Sequence, residues 1–224
     1  MKPIPRFGVL RYSATHLLVL LATVFIAAPF IDMMESGEWI EIILVSVLMS
    51  SAALAIGARR ATFAWAVFLL MPTLAARWVD HLSPGSLPTW VGQATGLVFM
   101  AFVVAHLLRF VLRAPRVGRE VLSAAVAVYL LLGLAWADVF TLVADVQPRS
   151  FNITPGLDGQ DQMSGVTALY YSFGTLTTGG SGDITPRTPV ARILSVAEAT
   201  MGTLYLAVLI ARLVGLVAPA REES

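Results

Sequence analysis

There is no cysteine among the 224 residues, so disulfides and thiolate-bound metals are excluded. Charge is scarce as well: Asp, Glu, Lys and Arg make up 13% of the chain, about half the usual share for a soluble domain. Histidine occurs only as His16, His81 and His106, with no i,i+4 pair and no set of acidic partners, which argues against a metal centre. What fills the chain is apolar. Hydrophobic residues reach 57%, and they come in blocks long enough to cross a bilayer, which takes about 20 residues. A soluble globular domain is excluded and a polytopic membrane protein is predicted. The net charge of +1 gives no reason to expect a nucleic-acid partner; membrane lipids are the expected surroundings.

Six apolar runs are predicted to span the membrane: Ser13–Ile31, Trp39–Gly57, Ala61–Val79, Trp90–Leu112, Val121–Val143 and Val190–Val217. The basic stretch Met1–Tyr12 resembles the start of a signal peptide. The run after it is long and its small-residue end, Ala27-Ala28, leads directly into Pro29, so it is read as a retained first span. Connections are short except for Ala144–Pro189, and a loop of that length is expected to be functional. Pro115 breaks the stretch Arg113–Arg119 and marks a joint there. Two parts are expected: a four-span scaffold over 1–112 and a pore module over 113–224.

Lys2, Arg6, Arg11, Arg59, Arg60, Arg109, Arg113, Arg116, Arg119, Arg212 and Arg221, 11 of the 15 basic residues, fall on one side of such a six-span layout. Basic residues mark the cytoplasmic side, so both termini are expected in the cytoplasm and the protein in the cell membrane. The acidic residues favour the other side, where those near the pore would concentrate cations and the rest solubilise loops. Asp138 is read as a carboxylate of the outer rim. Arg109, Arg113, Arg116 and Arg119 have nearly the spacing of a voltage-sensing helix. They begin only at the cytoplasmic end of the fourth span and continue past Pro115, so the positive-inside rule accounts for them and a voltage sensor is not expected.

The long loop holds Tyr170–Pro186, with Gly179, Gly180 and Gly182 close together after a helix-like run, Met163–Leu176. Glycine permits the positive-φ backbone that turns carbonyls toward one axis. Irregular backbone at membrane depth survives only when buried in protein or lining a watery path. An ion pathway is the reading from these residues alone. Thr177-Thr178-Gly179-Gly180-Ser181-Gly182-Asp183 resembles the selectivity filter T-T-V-G-Y-G-D of tetrameric potassium channels, agreeing at Thr177, Thr178, Gly180, Gly182 and Asp183. Around it, Tyr170-Tyr171 match an aromatic pair on the pore helix, Ile184-Thr185-Pro186 the exit, and Gly202 a frequent hinge glycine of the inner helix. The likeness covers about Val121–Gly215.

The resemblance implies an all-α membrane protein of six spans, with a re-entrant pore helix and filter loop between the last two, assembled as a homotetramer. It implies K+ (or Na+) held by the Thr178 hydroxyl and carbonyl and by the carbonyls of Gly179, Gly180 and Ser181, with no other cofactor. Asp183 would accept a hydrogen bond from Tyr171 behind the filter. Two departures, Gly179 for the branched residue and Ser181 for the tyrosine, predict a looser cage and weakened K+ selectivity. Gly174 stands where some members carry a supporting carboxylate. On the inner helix, spacing from Gly202 places Thr203, Leu206, Ile210 and Val214 on one cavity-lining stripe that narrows at Ile210 or Val214. An ordinary helix seam would show the same spacing. Glu198 lies inside the sixth span, where an ionisable group faces protein or water. It is read as filter support, protonated and bonded toward Thr175 or Thr177; facing the ion path is the alternative.

No enzyme is expected. Gly179-Gly180-Ser181-Gly182 also matches the G-x-S-G of rhomboid proteases, but no histidine follows Ser181 to act as its base. The competing reading is a non-conducting, channel-like structural subunit with a collapsed filter.

Overall fold

A computed structural model describes residues 14–34, 37–56, 60–154, 162–180 and 182–217. Helices α1 (Ala14–Asp32), α2 (Gly37–Ile56), α3 (Arg60–Leu82), α4 (Thr89–Arg113) and α5 (Arg119–Val146) come first. Strand β1 (Phe151–Ile153), the short helix α6 (Gly165–Leu176), β2 (Ile184–Pro186) and α7 (Pro189–Val217) complete the order. All helices but α6 are long and apolar enough to cross a membrane, six in number among the described residues. This is the make-up of an all-helical multi-pass membrane protein.

The chain forms two compact units, Met1–Leu107 and Leu108–Ser224. In the first, α2 packs against both α1 and α3. Leu48, Met49, Ala52, Ala53 and Ile56 are buried on α2, and its alanines let the backbones approach closely, as association in lipid requires. Trp78 of α3 donates to Ser46 of α2 at 3.2 Å, and Trp39 meets His81 edge to face at 4.2 Å.

In the second unit α6 lies against both α5 and α7. Its core joins Phe140, Phe151, Met163, Tyr171, Ile184 and Ala191. Phe140, Phe151 and Tyr171 meet edge to face with centroids 4.9–5.7 Å apart, a geometry aromatic rings favour. The strands form an antiparallel ribbon pairing Phe151 with Pro186 and Ile153 with Ile184. The ribbon was not among the elements expected from the sequence. Each strand is only three residues long, too short for an alternating pattern to stand out. It fixes the chain after residue 183 against the start of the long loop, and the Thr154 amide donates to the Asp183 carbonyl at 2.9 Å.

α4 ends at Arg113, ahead of Pro115, so Arg116 lies in the joint and Arg119 opens α5. Arg212, near the end of α7, donates to the Ala114 carbonyl of that joint at 2.9 Å.

Candidate functional site

The site begins where α6 stops. Its C-cap, Thr177, bonds back to the helix: the amide to the Phe173 carbonyl at 3.1 Å and the hydroxyl to the same carbonyl at 2.6 Å. The Thr178 amide then donates to the Thr175 carbonyl at 2.9 Å and the Gly180 amide to the Gly174 carbonyl at 3.0 Å. In a planar trans peptide the carbonyl points opposite the amide N–H. The carbonyls of Thr177 and Gly179 are therefore turned away from α6. Residues 177–180 are exposed.

The backbone is left-handed at every second position: φ is 57° at Thr178, 65° at Gly180 and 70° at Gly182. Glycine takes this conformation freely. A β-branched threonine does not, and its presence there is an outlier that costs on the order of 1–2 kcal/mol. Strain of this kind persists where the surroundings over-determine it, typically at functional sites. The site also sits at the C-terminal end of α6, which carries about half a negative charge. Carbonyls turned away from the helix on exposed residues, at its negative end, suit a cation. Ser181 lies outside the described residues.

The two tyrosines divide their roles by helix face. Tyr171 is buried, and its hydroxyl lies 2.6 Å from Ser195 of α7. Tyr170 is half exposed, and its hydroxyl donates to Asp183 at a long 3.4 Å, while the Ile184 amide donates to the same carboxylate oxygen at 3.1 Å. The partner of Asp183 is thus Tyr170 and not Tyr171. Adjacent residues on a helix point about 100° apart, so one residue of register exchanges the outer face for the inner one.

Glu198 is fully buried and lies 2.6 Å from the hydroxyl of Ser172, not at Thr175 or Thr177. Ser172 also reaches the Gly133 carbonyl of α5 at 2.7 Å, so one side chain joins three helices. Sequence reasoning missed Ser172. The available signal was a carboxyl inside a span, which demands a polar partner on the helix facing it.

Gly202 is buried, and a Cβ there would run into the Leu176 carbonyl at the end of α6. It is a close-approach glycine, which sets it apart from the exposed stripe beyond it. Thr203, Leu206, Ile210 and Val214 are not buried: Thr203, Leu206 and Val214 are exposed on α7 and Ile210 is 59% exposed, and Thr203 Oγ1 bonds back to the Ala199 carbonyl at 2.9 Å. Tyr205 anchors the same stretch by donating to the Ala125 carbonyl at 2.6 Å. Gly133, facing Ser172, is tight for the same kind of reason: a Cβ there would strike the Phe173 ring.

Residues 122–218 fit a family model described as "Ion channel", which covers α5 to α7 and the site between them but less than half of the chain. No curated protein and no solved structure matches. The family match supports an ion-channel protein, and the site lies within the matched residues.

One consequence concerns Gly180. An added Cβ meets nothing within 4 Å, so Gly180→Ala is expected to leave the helical fold intact and to lower its thermal midpoint only by the few degrees that backbone strain costs. The left-handed backbone would then cost about 1–2 kcal/mol per subunit. Cation flux is expected to fall by about tenfold or more, read in liposomes. Unchanged flux would remove the left-handed backbone from the function.

Proposed function

We propose that the protein is a cation channel of the potassium-channel type, in which four copies surround one pore and α6 with residues 177–183 re-enters the membrane as pore helix and filter. The observation that carries this reading is the backbone after α6. Its amides fold back onto the helix end, its alternate residues are left-handed, and Thr177 and Gly179, whose carbonyls turn away from α6, are exposed residues. One chain supplies a quarter of a cage of oxygens that replaces the hydration shell of K+. The assembly follows from that need. It also has support in α7, of which only 11% is buried within one chain, against 22–39% for the other five long helices. Thr203, Leu206, Ile210 and Val214 then line the cavity.

Selectivity is expected to be weak. Gly179-Gly180 raises the entropy lost on ordering the cage, and Ser181 supplies no aromatic spacer. The termini lie in the cytoplasm, with the arginines of the Arg113–Arg119 joint at the inner surface.

The test is cation flux into liposomes holding the purified protein, with K+ and Na+ gradients compared. Flux of both ions with a modest preference for K+ is the expected result. Strong K+ preference would overturn the loosened cage. No flux from a verified tetramer would favour the collapsed, structural subunit.

A further inference from the structure

We propose that Glu198 is a neutral acid that gives its hydrogen to Ser172, and that this bond positions the end of α6 against α7; its consequence for ion passage rests on the channel reading above. The hydrogens around Ser172 can be counted. Ser172 Oγ lies 2.7 Å from the Gly133 carbonyl and 2.6 Å from Glu198 Oε1. Both are hydrogen-bond distances for oxygen pairs. A hydroxyl has one hydrogen, and a backbone carbonyl has none to give. When the Ser172 hydrogen serves Gly133, the contact to Glu198 is a bond only if the carboxyl supplies the hydrogen. An ionised carboxylate would leave one of the two short contacts as lone pair against lone pair.

Charge points the same way. Glu198 has no exposed surface, and its Oε2 has no hydrogen-bond partner. A charge buried without a cation is very costly. No cation faces it from the packed elements. α6 carries no charged residue, and α5 has no Lys or Arg after Arg119. The two arginines of α7 are engaged elsewhere, Arg192 on the Pro186 carbonyl at 3.3 Å and Arg212 on Ala114.

The position gives the bond its role. Ser195, Glu198 and Gly202 follow one face of α7 and meet Tyr171, Ser172 and the Leu176 carbonyl in turn. Glu198 is the middle fastening, one turn ahead of the backbone that departs at Thr177. It touches none of the carbonyls turned away from α6, so it is a positioning residue.

Infrared spectra of the purified protein in lipid at neutral pH read the hydrogen directly. A carboxylic-acid C=O band is expected in the wild type, lost in Glu198→Gln, and moved to higher wavenumber in Ser172→Ala, where the acceptor is gone. Loss of a carboxylate band in Glu198→Gln overturns the proposal. So does an acid band that Ser172→Ala leaves in place, a comparison that stands even if Glu198→Gln does not fold. For the positioning role, the side-chain amide introduced by Glu198→Gln would still donate to Ser172, so this variant is expected to keep the K+ to Na+ flux ratio close to wild type. Glu198→Leu is expected to change it about fivefold. A ratio unmoved by leucine overturns the role. A wild-type protein that passes no cation sinks the channel reading alone. The infrared arm needs no conduction, and positioning is then judged by whether Glu198→Leu lowers the thermal midpoint below that of Glu198→Gln.

Discussion

Gly202→Ala is expected to be among the most damaging single-methyl changes in the chain. The new Cβ would fall on the Leu176 carbonyl, and the Leu176 side chain is within 3.0 Å as well. Neither α6 nor α7 can yield freely there. Tyr171 and Ser172 already hold the two helices together through Ser195 and Glu198. Overpacking of this kind costs about 1–3 kcal/mol. The midpoint of thermal unfolding should drop by several degrees, at roughly 2–4 °C per kcal/mol for a chain of this size. Flux should fall with it, because Leu176 directly precedes Thr177. The control lies on the same helix. A Cβ at Gly215 meets nothing within 4 Å, so Gly215→Ala should be neutral or slightly stabilising. A hinge role for Gly202 makes a different forecast, altered opening kinetics with stability intact. If Gly202→Ala unfolds at the same temperature as Gly215→Ala, the close-approach account is wrong.

Gly202 also shows where reading the sequence stops. Its place on the sixth apolar run was legible, and so was the run itself, because twenty apolar residues in a row have few other uses. The boundaries agree to within a few residues: the run at Val121–Val143 lies inside α5, and the helix before the filter starts at Gly165 and not at Met163. The reason for the glycine was not legible, since it lies in a carbonyl of another helix. The same holds for Ser172. A serine on a short apolar helix draws no notice until α5 and α7 bring Gly133 and Glu198 to it. Tyr170 and Tyr171 are adjacent letters, and only the orientation of α6 assigns one to Asp183 and the other to Ser195. The left-handed glycines Gly180 and Gly182 could be anticipated from glycine's freedom. Thr178 could not, because propensity opposes it, and a strained residue is where local rules are expected to fail at a functional site.

The double substitution Gly179→Val with Ser181→Tyr is expected to sharpen K+ selectivity. Gly179 differs from its neighbours in a way that makes the test feasible. It is not one of the left-handed positions, and a Cβ there meets Thr177 Oγ1 at 3.4 Å and the Gly174 carbonyl at 3.7 Å, ordinary contacts. A Cβ is thus accepted by the backbone as it stands, whereas at Gly180 and Gly182 it would be strained. Replacing one of two adjacent glycines removes about 0.5–1 kcal/mol of ordering cost per subunit. The added tyrosine supplies the spacer that the filter of tetrameric potassium channels has and Ser181 lacks. Four subunits acting on one cage multiply the effect, so a rise of about tenfold in the K+ to Na+ permeability ratio is expected. Under bi-ionic conditions tenfold is about 1.4 kcal/mol, a shift of about 60 mV in reversal potential. Valine alone should stiffen the cage without setting its width, so the single variant should raise stability more than selectivity. A stably assembled double variant whose reversal potential does not move would mean that these two positions do not set the width of the path, and the loosened-cage account would fall with it.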